Sequence, residues 1–237
     1  IIDSTAYAAS AAASLSFFGS LTISGAGAEA LNVILTKTRA YATASDLRSA
    51  GDITIEASDT STISAVVKTV AAGFSVGYYA GAVSIGTGTA HNYVGRDDQA
   101  AEVLAYLSSS SARANAGQIW LTAAESAAIT ADVQADGHSL SVGLIAVAAS
   151  GAGVVLENQV NALVRAAVSN TRNSGVQASS GVTISAQDTS KITANAKAAT
   201  FAAAVGVGAA VSVSASRASN TIASTVAPAS ESPSGQR

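Results

Sequence analysis

The strongest constraint on the fold is a motif that recurs at nearly constant spacing along the chain. The segment Ile53 to Ser64 aligns without a gap with Val182 to Thr193, and Ile119 to Thr130 fits between them. The repeat is about 60–66 residues long. A repeat of this kind indicates stacked equivalent units, each burying its apolar face against its neighbours.

A second recurring feature is an asparagine in the later half of each unit. The four are Asn32, Asn92, Asn158 and Asn220, and their spacing matches that of the motif. They divide the repeat domain 1–227 into four units, about 1–50, 51–116, 117–180 and 181–227, of which the first lacks its opening strand. We interpret the asparagines as turn residues or as an internal amide ladder rather than as contact points for a ligand.

Within each unit the apolar residues recur with a period of two, which is typical of strands. From Val205 to Ala215 every second residue is apolar, and Ile53 and Ile55 alternate with Thr54 and Glu56. Proline is absent from 1–227, so no residue there lacks a backbone donor for a sheet. The sequence therefore predicts an all-β fold, a repetitive β-solenoid similar to a parallel β-helix.

The repeat alignment also predicts which side chains share a core. Ile55, Leu121 and Ile184 occupy the same position of the motif, so we expect them to point into one common core. We expect more than one coil of chain in each unit. The alanine-rich stretches 6–13 and 194–204 have high intrinsic helix propensity, but their place inside the repeat favours strand.

The composition restricts both the core and the partners. Hydrophobic residues make up 49% of the chain but aromatic residues only 5%, which suits thin layers better than a thick core. Charged residues are 11%, against about 25% in typical proteins. The twelve Lys and Arg are dispersed, which argues against nucleic acid as a partner. Sparse charge leaves little repulsion to oppose self-association.

Two groups of acidic residues are candidates for chemistry. Asp97 and Asp98 lie near Glu102, and Asp132 lies near Asp136. A calcium ion requires six to eight oxygen ligands, which neither group supplies in sequence, and so we interpret both as solvated loops. A glycan-cleaving enzyme would need paired carboxylates across a groove, and no pattern in the sequence indicates such a pair.

The remaining candidate site residues also favour structural roles. His91 and His138 lie in different units, and the chain contains no Cys, so a zinc site is not indicated. The Gly-x-Gly pairs, such as 25–27 and 151–153, do not continue into a dinucleotide-binding pattern and indicate close backbone approach instead. We therefore predict no catalytic, cofactor-binding or metal-binding residues and no enzyme activity.

Long uncharged stretches raise the question of membrane insertion. The segments 69–90, 139–156 and 198–216 contain no charged residue. Spanning helices of this length are strongly apolar and do not require alternation. Because these segments are rich in Gly, Ser and Thr and alternate with period two, we expect no insertion into a membrane.

The last unit resembles the repeats of large bacterial filamentous adhesins. The resemblance rests on the motif from Val182 to Thr193, on the alternating run AVGVGAAVSVS that follows it, and on the segment from Asn220 to Val226. Leukotoxin-like and filamentous-haemagglutinin-like surface proteins carry similar units. The resemblance implies a secreted or cell-surface β-solenoid with a structural or adhesive role, and it brings no catalytic residues.

The expected partners follow from this interpretation. We expect further copies of the chain or adjoining repeats of a longer polypeptide, and host or cell-surface glycans as adhesion targets. The chain contains no Met, so we expect a processed end or a piece of a longer protein. Residues 228–237 contain both prolines and are predicted to be a linker or tail. The alternative function is that of a glycan-binding or glycan-cleaving β-helix protein.

Overall fold

The computed structural model describes residues 1–172 and 175–230, and the described chain is all-β, as predicted. The strands pair in parallel, apart from one isolated antiparallel bridge between Arg96 and Gln99. The strand content far exceeds the usual share of about 20–25% of residues. Along strands such as Thr62–Val76 and Ile119–Glu125, more buried residues alternate with less buried ones, which is the period of two seen in the sequence.

The chain crosses the molecule in four successive layers. The first contains β1 (Ile2–Leu15), β2 (Gly19–Ile34), β3 (Lys37–Thr43), β4 (Asp46–Ser49) and β5 (Ile53–Asp59). The second contains β6 (Thr62–Val76), β7 (Tyr79–Val94), β8 (Ala101–Ser108), β9 (Ser111–Ala114) and β10 (Ile119–Glu125). The third contains β11 (Ala128–Val160), β12 (Ala162–Ser169), β13 (Val176–Ala178) and β14 (Val182–Asp188), and the fourth contains β15 (Lys191–Ile222) and β16 (Thr225–Ser230).

Each sheet is assembled from equivalent strands of successive layers. The long sheet contains β1, β2, β6, β7, β11 and β15, and the three smaller sheets are β3-β8-β12-β16, β4-β9-β13 and β5-β10-β14. Paired residues lie one repeat apart, as in Ile2 with Ile63 and Ile63 with Ile129. The expectation of more than one coil per unit was therefore wrong. The long strands β11 and β15 contain 33 and 32 residues, about half of a repeat, and the shorter strands of the smaller sheets supply most of the rest.

The long sheet is folded into two arms. The first arm contains β1, β6, residues 128–142 of β11 and residues 191–205 of β15. The second arm contains β2, β7, residues 145–160 of β11 and residues 207–222 of β15. The register shifts between Val142 and Ile145, where β11 passes from one arm into the other.

The two arms pack face to face through small side chains. The hydroxyls of Ser14 and Thr22 are hydrogen-bonded at 2.6 Å, and Ser24 donates to the carbonyl of Ser10 at 3.0 Å. A Cβ added at Gly86 would lie 2.6 Å from the carbonyl oxygen of Asp136. Larger side chains do not fit between backbones this close, so Gly, Ala and Ser in these strands are a packing requirement.

The thicker part of the interior lies between the smaller sheets and the starts of the first-arm strands. Its largest buried side chains include Ile63, Leu107, Ile119, Leu121 and Ile129. Burial of each such side chain contributes about 1.5–3 kcal/mol. We call this group and its neighbours the aliphatic core, and it accounts for most of the large apolar side chains removed from solvent.

One corner of this region has the same backbone conformation in three layers. Ala44, Ser109 and Asn170 follow β3, β8 and β12, and their φ angles are 50°, 48° and 48°. The amides of Ala44 and Ser109 donate to the carbonyls of Ser108 and Ser169 in the next layer. The corner thus stays in register through the stack, although only Asn170 is a residue that favours the left-handed conformation.

Two further expectations concern the alanine-rich stretches and the tail. Residues 6–13 and 194–204 lie within β1 and β15, so both stretches are strands. The segment predicted to be a tail is in part a strand, because β16 continues to Ser230 and pairs Pro228 with Ala166. Proline is tolerated there because β16 is an edge strand. The rest of the predicted tail, 231–237, lies outside the described residues.

Candidate functional site

The four repeated asparagines form one column of side chains in the second arm. Asn32 donates through Nδ2 to Oδ1 of Asn92 at 2.7 Å, Asn92 to Asn158 at 2.8 Å, and Asn158 to Asn220 at 2.8 Å. Asn32 also donates to the hydroxyl of Ser4 in the first arm at 2.8 Å. The amides bind one another and the facing arm, so the column fixes the register of the layers.

The three repeated aliphatic residues are neighbours in one small sheet. Leu121 is paired with Ile55 on one side and with Ile184 on the other. Leu121 is fully buried, and the other two pack against the aliphatic core at its edges. These residues hold the layers together through apolar contact.

A column of acidic residues lies at the end of the same sheet. Glu125 is paired with Asp59 and with Asp188, so three carboxyl groups occupy successive layers. The side chain of Glu125 is 1% exposed, and neither of its oxygens has a hydrogen-bond partner among the described residues. Burial, with the nearby Asp59 and Asp188, raises the pKa of Glu125 to about 8. Glu125 is therefore mainly protonated at neutral pH.

The two outer acids of this column, Asp59 and Asp188, differ from Glu125 because each accepts hydrogen bonds. Asp59 accepts hydrogen bonds from the hydroxyls of Thr36 at 2.6 Å and Ser61 at 2.9 Å. Asp188 accepts from the backbone amide of Ser190 at 2.8 Å. The sequence reasoning missed this column. Its signal was present, since all three acids hold the seventh position of the aligned motif.

The first acidic group singled out from the sequence does not converge on one point. Asp97 accepts a hydrogen bond from Gln159, and Asp98 lies 3.9 Å from Arg96. Glu102 lies on β8 and pairs with Arg39 and Lys37. These carboxylates are therefore engaged by separate partners.

The second acidic pair and the two histidines lie in strands. Asp132 and Asp136 are in β11, which corrects the expectation of a loop there. His91 lies 3.1 Å from Glu157, whereas His138 lines a shallow apolar depression with Phe74 and Phe201. Within 1–172 and 175–230, no group of three or more His, Asp or Glu side chains is arranged to hold a metal ion.

A groove on the outer face of the sheet β3-β8-β12-β16 combines an aromatic pair with cationic groups. The rings of Tyr41 and Tyr106 are stacked, with centroids 5.1 Å apart and planes 8° from parallel. The adjoining groove has a volume of about 350 Å³. Its lining residues are Arg39, Leu104, Tyr106, Ser108, Leu163, Arg165, Ala167 and Ser169. Aromatic faces beside hydrogen-bonding groups are suited to flat, hydroxyl-bearing ligands.

The guanidinium of Arg39, which lines this groove, forms an ion pair with Glu102. Arg39 donates to Glu102 through both Nε and Nη2. The hydrogen bond from Arg39 lowers the pKa of Glu102 below its usual value. Glu102 is therefore ionised at neutral pH and is poorly suited to donate a proton to a leaving group.

The bend between the arms exposes apolar side chains in every layer. Phe17 and Phe18 in the first layer are 91% and 82% exposed. Tyr78 and Tyr79 take this place in the second layer, and the third and fourth layers place aliphatic residues there. These exposed side chains form a row along the bend.

Comparisons with protein families, with curated proteins and with solved structures found no match. The described residues contain no helical segment with the length and hydropathy needed to span a lipid bilayer.

Proposed function

We propose that the chain is a β-solenoid segment with a structural and adhesive role in a secreted or cell-surface bacterial protein. In this proposal the four layers are successive coils, and the repeat resembles those of filamentous adhesins. The observation that carries the proposal is the column of four hydrogen-bonded asparagines. Repeated polar residues in this column bind each other across layers, which is what a stacked scaffold requires.

The distribution of the other polar groups supports a scaffold rather than an enzyme. The candidate acids and histidines are distributed over separate strands and loops, and most of them are engaged by neighbouring side chains. Glycoside cleavage commonly needs two carboxyl groups about 5–10 Å apart across the substrate. The eight residues that line the groove beside Tyr106 include none with a carboxyl side chain.

The groove itself favours glycan binding as the adhesive activity. A sugar ring placed against Tyr106 would lie beside Arg39 and Arg165, which line the same groove. Tyr106 is already held by stacking on Tyr41, so little side-chain entropy would be lost on binding. We propose cell-surface glycans as the ligand class and binding without cleavage as the activity.

The experiment is a glycan-array screen of the purified chain, followed by titration calorimetry with the strongest binder. Tyr106→Ala should weaken binding by at least tenfold, because the aromatic platform is lost. Tyr78→Ala removes a half-exposed tyrosine far from the groove and is the matched control. Equal binding by parent and Tyr106→Ala would contradict the proposed site. Release of reducing ends from a bound glycan would contradict the non-enzymatic role.

A further inference from the structure

We infer that this chain associates head to tail with a second copy of itself, β15 of one copy pairing with β1 and β2 of the next. The inference rests on the layered scaffold proposed above and names the residues that make its end-to-end contact. Its starting point is the pairing pattern of the long sheet. Among the described residues, β15 pairs only with β11, while β1 pairs only with β6 and β2 only with β7.

The unpaired edges at the two ends have the same shape and direction. β15 is one strand of 32 residues that contributes to both arms. Its counterparts in the first layer are β1, with 14 residues, and β2, with 16 residues. Since all of these strands pair in parallel with the layer beside them, a second copy can add in the same orientation. The added layer would lie about 4.8 Å from β15, like any neighbouring strand.

The side chains that point inward would continue without interruption across this junction. The first-arm column reads Ile2, Ile63, Ile129 and Ile192, so Ile192 of one copy would meet Ile2 of the next. A second-arm column ends on Ile222 and begins on Ile34. The junction would thus extend apolar columns that already run through the molecule.

The asparagine column has a direction that suits the same contact. Each asparagine donates its Nδ2 towards the following layer and accepts through Oδ1 from the preceding one. Asn220 therefore ends the column with a donor, and Asn32 begins it with an acceptor. A head-to-tail contact joins this donor to this acceptor, whereas a head-to-head contact would place two acceptors together.

Charge complementarity favours a second copy over an unrelated strand. The column on the outer face of the second arm reads Glu29, Thr89, Val155 and Arg217. Its two charged members lie at opposite ends of the stack, and both are exposed. Head-to-tail addition would place Arg217 of one copy directly beside Glu29 of the next. Opposite charges at facing positions stabilise paired strands, and like charges destabilise them.

We place the junction on the long sheet, which has the longest strands at both ends of the stack. β16 follows β15 in the fourth layer and forms the edge of another sheet, where Pro228 cannot donate a hydrogen bond. The two arms therefore supply the contact. Because the same contact recurs at each end, repeated addition gives an open linear assembly unless the rotation between copies closes a ring.

The test is sedimentation velocity at low ionic strength with charge-reversal variants. Glu29→Arg and Arg217→Glu should each weaken self-association by roughly tenfold, because like charges then face each other at the junction. An equimolar mixture of these two variants should recover the association, because alternating copies then place an arginine against a glutamate at every junction. Lys68→Glu, in the interior second layer, is the matched control and should associate like the parent.

A second kind of variant tests the amide contact without disturbing the fold. Asn220→Asp keeps the oxygen that accepts from Asn158 but removes the donor required by Asn32 of the next copy. We expect weaker association and an unchanged circular dichroism spectrum. A parent chain that stays monomeric at all concentrations, or association insensitive to all three edge variants, would overturn the inference. If the monomer retains its strand spectrum in that case, the proposed scaffold survives; loss of the strand spectrum in the parent would refute both.

Discussion

The aliphatic core and the two packed arms belong to the same layers but are packed in opposite ways. The aliphatic core combines Ile, Leu and Val with alanines, and most of its residues lie on the short strands of the smaller sheets. The arms are long strands packed mainly through Ala, Gly and Ser, and their backbones approach closely at Gly86 and Gly137. A smaller cluster of larger side chains also lies between them, formed by Val67, Val133, Val154 and Leu156. Side-chain volume thus decides how far apart two parts of one repeated chain lie, because both regions must reach similar packing density.

The two regions also differ in the kind of unpartnered polar group that they bury. Between the arms, Thr69, Ser84, Ser141 and Ser150 are buried with no hydrogen-bond partner for their hydroxyls among the described residues. The margin of the aliphatic core contains Glu125, whose carboxyl group is equally unpartnered. A neutral hydroxyl is far less costly to bury than a charge. The packing between the arms can therefore contain unpartnered hydroxyls in two layers, whereas the cost of burying the carboxyl group of Glu125 depends on pH.

The largest expected effect comes from truncating the aliphatic core. Leu121→Ala should lower the free energy of unfolding by about 2–5 kcal/mol, because it leaves a cavity between Ile55 and Ile184. Ala148→Gly, a truncation at a fully buried position between the arms, should cost only about 1 kcal/mol. Urea denaturation measures both. A smaller loss of unfolding free energy for Leu121→Ala than for Ala148→Gly would contradict the difference described between the aliphatic core and the arms.

The buried acid at the core margin predicts a stability that falls as the pH rises. The pKa of Glu125 is about 8 in the folded chain, against 4.5 ordinarily. The favourable contribution of the protonated carboxyl is fully present below pH 4.5 and is lost progressively as the pH rises through 8. The total loss is about 4–5 kcal/mol by linkage, and about 3 kcal/mol of it is reached by pH 7.

Glu125→Gln provides the matched comparison, because it keeps the shape and removes the titration. The parent should lose stability between pH 5 and pH 8, whereas the variant should lose much less over the same interval. Thermal unfolding followed by circular dichroism at several pH values measures the difference. Identical pH profiles for parent and variant would contradict the assignment of this titration to Glu125.

Overpacking tests the arms directly. Gly137→Ala should destabilise the chain by about 1–3 kcal/mol, because the new Cβ would overlap the backbone carbonyl of Gly151. Gly153→Ala lies on the same strand with open space around its Cβ, and it should be neutral or stabilising by up to about 1 kcal/mol. Chemical denaturation of the two variants side by side gives the comparison. Equal effects would mean that the arms do not approach as closely as described.

The smallest expected effect is at the repeated corner of the aliphatic region. Ala44→Gly should stabilise the chain by about 0.5 kcal/mol, because glycine removes the strain of a left-handed φ and loses part of that gain to entropy. Ala42→Gly, inside β3, should instead destabilise by about 0.5–1 kcal/mol. Thermal unfolding of the two variants measures both changes. Destabilisation by Ala44→Gly would show that the corner is not strained in solution.

Much of the fold could be predicted from the sequence, because residues that are equivalent in the repeat are also paired in the sheets. The motif alignment that equates Ile55, Leu121 and Ile184 is the pairing found in the small sheet. The alanine-rich stretches were correctly favoured as strands, since hydrogen bonds to neighbouring layers outweigh the helix propensity of single residues. The all-β class follows from the alternation, and the parallel pairing follows from the repeat, which places equivalent segments side by side.

Other features could not be predicted from the residue pattern of a single unit. The number of coils per unit depends on strand length, and uninterrupted alternation does not reveal where β11 bends near Gly143. The acidic column through Glu125 becomes visible only when the aligned motifs are compared position by position. The groove at Tyr106 was missed because Tyr41 lies a full repeat earlier in sequence, and only stacking of the layers brings the two rings together.

The central claim is that equivalent residues of successive layers lie in columns, and dipolar electron paramagnetic resonance tests it most directly. Lys68 and Lys197 are exposed, lie two repeats apart in sequence, and both pair with Gln134 of the layer between them. The chain contains no Cys, so Lys68→Cys and Lys197→Cys allow labelling at these two sites alone. The account places the backbones of the two labelled residues two layers apart, about 10 Å from each other. It therefore predicts strong dipolar broadening in doubly labelled protein diluted with unlabelled chain. Spectra identical to the sum of the two singly labelled variants would contradict it.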